Sequence, residues 1–249
     1  FEQFREVFLS AMPGMRVDSG TPLVILAVKD EKSLKSVLPE NWEKRSTTRT
    51  GGFFLRGLGK NYIVLRLDAV VDTPYHIIYH EYAHNLMNMN YGIVPVWLSE
   101  GLAEFFGHTV INVREAVVGV RSASELALLR KTNLLALETF FAVDYASPYY
   151  GEENKTNLFY AQSWALTHYL MMSDQSARRP QITSFLHLLE QDVPTTDAAS
   201  RAFGDLAVLA RQLNAYVHQR AFASLRLPRR ATADYSSYFL REIPVAESL

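Results

Sequence analysis

The chain has 249 residues, 48% apolar and 20% charged, with 25 basic side chains against 26 acidic ones. That is an ordinary globular balance with ample material for a core, and a net charge of -1 gives no electrostatic reason to expect nucleic acid or an anionic membrane as partner. Cysteine is absent, so disulfides and thiolate ligands are excluded and any metal must be held by His, Asp or Glu. From the N-terminus, Phe1 to Met12 carries apolar residues at helical spacing (Phe1, Phe4, Val7, Phe8), and Pro13-Gly14 ends the run. Leu23 to Val28 reads as a buried strand, too short to span a membrane, and Asp30 to Leu34 opens a short helix that should stop near Pro39. Thr50 to Arg56 and Asn61 to Asp68 read as two strands of a hairpin around Gly57-Leu58-Gly59-Lys60, with Tyr62, Val64 and Arg66 alternating with Ile63, Leu65 and Leu67.

A helix is expected from Pro74 to Met89, with Asp72-Thr73-Pro74 supplying a cap and a proline at its first position. Everything after Pro95 reads as helical: Leu98 to His108, a capping box at Ser122-Ala123-Ser124-Glu125, then Asn157 to Met172, Ile182 to Gln191 and Leu206 to Ala223. The expected fold class is α+β in a single domain. A small mixed α/β lobe with its last helix covers residues 1–92, and a mainly helical lobe covers 93–249. No repeat or low-complexity segment is present. The chain opens on Phe1 with no signal peptide and stops at Ala246-Glu247-Ser248-Leu249 without a closing element, so we expect further sequence, including a further domain beyond the C-terminus, in the full-length protein.

Chemistry concentrates in His80-Glu81-Tyr82-Ala83-His84, an H-E-x-x-H pattern that a chain with seven histidines meets by chance in roughly one case in a hundred. Residues four apart share a helix face, so His80 and His84 can present imidazole nitrogens to one ion, and Glu81 reaches the edge of that site without ligating. This suits one zinc ion with a general base beside it. Glu100, sixteen positions after His84 and beyond the turn at Pro95, is the expected third ligand, leaving a fourth position for water. Glu104 lies one turn further on the same face and is the candidate to hold a ligand imidazole by its other N–H, the competing reading being a surface charge. His76 continues the stripe, but each i+4 step drifts ~40°, so three rings cannot converge on one ion from a straight helix, and it is read as structural. Trp97 and Phe105 are read as core, and the Arg178-Arg179 and Arg229-Arg230 pairs as solvated surface.

His80-Glu81-Tyr82-Ala83-His84 followed by Trp97-Leu98-Ser99-Glu100-Gly101-Leu102-Ala103-Glu104-Phe105 resembles the gluzincin zinc metallopeptidases, closest to the bacterial peptidase MA-like group. Gly52-Phe53-Phe54 and Phe159-Tyr160-Ala161-Gln162-Ser163-Trp164-Ala165-Leu166 read like that group too, so the resemblance covers roughly residues 20–190. It implies a zincin-like fold, a peptide or protein substrate, and hydrolysis by a zinc-activated water with Glu81 as general base. It also implies a Tyr or His on the helical lobe that stabilises the oxyanion: Tyr160 is the choice, with Tyr149, Tyr150 and His168 as competitors. By the same analogy the strand Asn61–Asp68 would be a sheet edge beside the cleft, open to an extended peptide, and the protein would be extracytoplasmic in a bacterium. The alternative from another class is a zinc-binding scaffold or interaction module of the same fold that no longer cuts peptides. Retention of Glu81 argues against it.

Overall fold

The computed structural model describes residues 1–18, 20–37, 51–68 and 75–229. Helix α1 (Glu2–Ala11) buries Phe4, Val7, Phe8 and Ala11, the stripe its spacing sets. Strand β1 (Leu23–Val28) leads to α2 (Glu31–Ser36), whose first turn is capped by Asp30 Oδ1 accepting from the Ser33 backbone N–H at 2.9 Å. Strands β2 (Gly52–Arg56) and β3 (Asn61–Arg66) form the expected hairpin, with Phe53 opposite Val64. The sheet order is β1-β3-β2, and β1 runs parallel to β3 with Leu23 opposite Asn61.

β3 is therefore the middle strand, which corrects the expectation of an edge strand at Asn61–Asp68. The reason lies in its two faces. Ile63 and Leu65 enter the main core, whereas Val64 packs with Leu26, Leu34, Val37 and Phe53 under α2. With both faces covered and both backbone edges paired, to β1 on one side and β2 on the other, the strand is enclosed as an edge strand is not. Among the described residues, β2 stands at one edge of this sheet.

Helix α3 (His76–Asn90) follows Tyr75, which is left-handed at φ 67°. It starts two residues later than expected, and the Asp72-Thr73-Pro74 cap, like Pro39, falls outside the described residues. After Pro95 comes α4 (Val96–Gly107). The remaining chain is not all helical, contrary to expectation. β4 (Val110–Ile111), β5 (Glu115–Val118) and β6 (Leu225–Pro228) make a second antiparallel sheet in that order. Two of these strands are too short to show a period, and β6 pairs with a strand far upstream, so only long-range pairing makes them visible.

The helices between are α5 (Ala123–Leu129), α6 (Leu137–Phe141), α7 (Pro148–Gly151), α8 (Glu153–Met172), α9 (Arg179–Glu190), α10 (Thr195–Phe203) and α11 (Leu206–His218). α6, α7 and α10 add to the expected set, and α11 stops short of Ala223. The Arg178-Arg179 pair is not free surface either. Arg178 lies over the Tyr169 ring at 4.9 Å and pairs with Asp174, and Arg179 donates to the Ala11 carbonyl at 2.7 Å.

α8 is the hub of the helical lobe, with Phe159, Ala161, Trp164, Ala165, Leu166 and Leu170 all fully buried. A helix apolar round most of its girth must be enclosed by others, and α4, α5, α7, α9 and α11 enclose it. Trp97, at the head of α4, sits among the rings of Phe140, Phe141, Phe185 and Phe203 and fixes that end of the helix. α4 meets α8 at Gly101, where an added Cβ would lie 2.5 Å from the Ser163 carbonyl and against Thr167 Oγ1. Only glycine permits that approach. Because backbone cannot yield as a side chain can, Gly101→Ala should destabilise by about 1–3 kcal/mol in urea unfolding and weaken metal uptake by displacing the adjacent Glu100. Unchanged stability would mean that the two helices have slack.

Candidate metal centre

α3 and α4 pack against each other. On α3 the face with Tyr79, Tyr82, Ala83 and Leu86 goes to the core, where Phe4 stacks on Tyr79 at 4.6 Å. The His76, His80, His84 stripe is left for α4. Asn85 Oδ1 accepts from Asn61 Nδ2 at 3.1 Å, which turns the Glu81–Asn85 side of the helix towards the hairpin strand β3.

The structure brings His80, His84 and Glu100 together. The two Nε2 atoms are 3.2 Å apart, and each is 3.5 Å from Glu100 Oε2. An ion bound tetrahedrally above this triangle would be about 2.1 Å from all three donors, a bond length that suits imidazole nitrogen and carboxylate oxygen on a small divalent metal. Glu100 Oε2 is buried and faces the two imidazoles without a hydrogen bond of ordinary length to either. These residues could hold a metal ion.

A further layer of groups orients the donors. Glu104 Oε1 is 3.4 Å from His80 Nδ1, and Glu104 Oε2 accepts from His76 Nε2 at 2.9 Å. Glu104 is 4% exposed, so it is not a surface charge. His76 is structural as expected, but its task is specific: it pins the carboxylate that faces His80. The pocket for its ring exists because Gly107 has no side chain; a Cβ there would come within 3.0 Å of the imidazole. His84 Nδ1 lies 3.1 Å from Ser99 Oγ, and the Nε2 atoms of His80 and His84 both face the triangle. Sequence spacing alone does not assign Ser99 this task, although its place immediately before Glu100 puts it next to the centre.

Electrostatics follow from burial. Burial alone would raise the Glu100 carboxyl, but the His84 and His80 rings outweigh it and hold the group well below the usual carboxylate range. Burial would lower His80, yet Glu104, Glu100 and Glu81 together push it up to about 9. Glu81, 8% exposed, is raised by burial and only partly brought back by His80 and His84. A carboxyl with raised proton affinity, set beside the donors and outside the triangle, is equipped to take a proton.

Of the tyrosines, Tyr150 reaches Glu100, donating from its hydroxyl to Oε1 at 3.1 Å. Tyr160 stands one ring further back, stacked on Tyr150 and hydrogen-bonded to its hydroxyl. Tyr149 lies under Lys155 instead. His168 is fully buried with both nitrogens engaged, by the Tyr216 hydroxyl at 2.6 Å and the Gly119 carbonyl at 2.9 Å.

Residues 71–194, just under half of the chain, match the model of a family described as "Protein of unknown function (DUF1570)". The matched stretch contains every residue of the centre. No curated protein and no solved structure matches the chain. No helix of the described residues is long and apolar enough to cross a membrane.

Two measurements check this arrangement. With its pKa raised from 6.5 to about 9, His80 carries a proton near neutral pH in the metal-free protein, and a metal must expel it. Calorimetric titration with zinc in buffers of different ionisation enthalpy should show proton release near neutrality, and affinity should climb with pH until it levels off at about 9. A pH-independent affinity over that range would contradict the proposed contacts. Glu104→Ala should lower metal affinity roughly 10–100-fold, and an unchanged affinity would remove Glu104 from the support of His80.

Proposed function

We propose that the protein is a zinc-dependent peptidase in which His80, His84 and Glu100 hold the metal and Glu81 is the general base. The observation that carries this reading is the buried Glu81 carboxyl, its proton affinity raised, beside a triangle of donors sized for one ion. The donor set suits zinc in particular: two imidazoles and one carboxylate, tetrahedral spacing, and a fourth position left over. Zinc bound there would supply Lewis acidity, lowering the pKa of a water towards ~7 and polarising a carbonyl.

The chain's own groups do the rest. Glu81 takes the proton from the attacking water and passes it to the leaving amine nitrogen. Ser99 holds His84 by Nδ1 at 3.1 Å, and the Glu104 carboxylate faces His80 Nδ1 at 3.4 Å and orients that ring electrostatically. The oxyanion donor is assigned to a tyrosine of the helical lobe. Tyr150 is favoured over the expected Tyr160, because its hydroxyl already lies on Glu100 and burial, with the Glu100 charge, raises its pKa and keeps it protonated. An extended peptide would run along β2 rather than along the enclosed β3, since among the described residues no strand pairs with the outer edge of β2. The peptide class of substrate comes from the resemblance of the two metal segments to the gluzincins.

Glu81→Gln should retain zinc and abolish cleavage of a peptide library, and full turnover in that variant would end the mechanism. Zinc-loaded protein that cleaves no peptide at all would instead favour a scaffold. Tyr150→Phe should lower kcat by about 10²-fold with little change in KM, and more than Tyr160→Phe does. The reverse order would return the assignment to Tyr160.

A further inference from the structure

One stretch of the helical lobe carries three tyrosines and no charge: Tyr145-Ala146-Ser147-Pro148-Tyr149-Tyr150-Gly151, the turn after α6 and the whole of α7. It is held largely by its own backbone. Asp144 Oδ1 accepts from the Ala146 N–H at 3.0 Å, and Ser147 Oγ accepts from the Tyr149 N–H at 3.3 Å. The Ser147 carbonyl accepts from the Tyr150 N–H at 2.9 Å, and α7 packs on α8. Two of the rings form a corner. The Tyr145 ring stands at 88° to that of Tyr150 with centroids 5.2 Å apart, while Tyr160 on α8 lies nearly parallel to Tyr150, at 19° and 6.1 Å. Tyr145 is 60% exposed and Tyr150 half-buried.

These rings run from solvent to the donor triangle. Tyr150 donates to Glu100 Oε1 at 3.1 Å, so the Tyr145 ring is at most about 11 Å from that oxygen. An extended peptide advances ~3.4 Å per residue, so a side chain in the corner belongs to a residue within about three of the bond at the ion. An aromatic side chain entering there can meet one ring face-on and the other edge-on, the arrangements that aromatic pairs prefer. Because the rings are set before it arrives, little is lost in ordering them. A charged side chain would give up water and find no opposite charge within residues 145–151.

Resting on the peptidase reading, we propose that Tyr145 and Tyr150 form a subsite for an aromatic side chain of the substrate, with Tyr145 as its specificity-determining residue. Tyr160 positions the inner wall through its stacking on Tyr150. The protein then selects peptides with Phe, Tyr or Trp close to the cut and disfavours Lys, Asp and Glu at that position.

The test is cleavage of a peptide library by the full chain loaded with zinc, with cut sites read by mass spectrometry. It is followed by kcat/KM for a peptide pair that differs only in Phe or Ala at the selected position. Aromatic residues should be enriched at one position within three residues of the cut, with Phe favoured over Ala by about 10–100-fold. Tyr145→Ala should shrink that ratio about 10-fold, chiefly through KM, and Tyr145→Phe should preserve it. A wild-type profile without aromatic enrichment overturns the subsite and leaves the peptidase standing. So does a Tyr145→Ala variant in which both peptides slow equally, since a merely structural role would do that. Should wild type cleave nothing, the peptidase reading falls, and calorimetry on the zinc-loaded chain with phenylalanine hydroxamate and alanine hydroxamate decides the subsite. Both probes chelate zinc and differ by one phenyl group. Tighter binding of the phenyl compound, lost in Tyr145→Ala, upholds the corner, whereas equal binding, or none of either, overturns it.

Discussion

Between α3 and α4 the protein buries four ionisable side chains, His80, Glu81, Glu100 and Glu104, in one small volume. Charges taken out of water cost several kcal/mol each unless they are paired, so such a cluster survives only if every member compensates another. The pairing is visible in the shifts: Glu100 is driven down and His80 driven up, each by the other's neighbourhood. A divalent cation answers the same electrostatic demand more fully. It does so without asking any histidine to carry a proton.

The scaffold meets that demand by fixing the distance between two helices. α8 provides a wall against which α4 lies flat, and Gly101 removes the one side chain that would hold them apart. Trp97 and its four phenylalanine neighbours anchor the head of α4, while Phe4 stacked on Tyr79 sets α3 from the opposite side. The glycines on α4 face different partners, Gly101 the α8 backbone and Gly107 the His76 ring, so the same small residue serves packing at one point and the orientation of a carboxylate at the other. The site is thus rigid because it is built on helices whose own packing is complete.

The layering of the histidines extends the same logic outwards. His84 leans on Ser99, His80 on Glu104, and Glu104 on His76. Each contact fixes a tautomer or a rotamer in the next residue, which links the outermost hydrogen bond to the geometry of the donor triangle. Glu104 bears the most, because His80, His76 and His108 all address its two oxygens.

The sequence alone determined what depends on neighbours along the chain. H-E-x-x-H on a helix places two imidazoles on one face whatever the rest of the fold does, and the turn at Pro95 allows Glu100 to return to them. The β2–β3 hairpin, the burial of Trp97 and Phe105 and the α1 stripe were legible for the same local reason. What joins distant segments required the tertiary structure. The parallel pairing of β1 with β3 makes β3 a middle strand, and β6 reaches β5 from the far end of the described chain. Tyr150 rather than Tyr160 touches Glu100, and His108 meets Glu125 across the second sheet's connection. Those contacts have no fixed spacing in sequence, because packing of whole elements brings them together, and an i, i+4 rule does not reach that far.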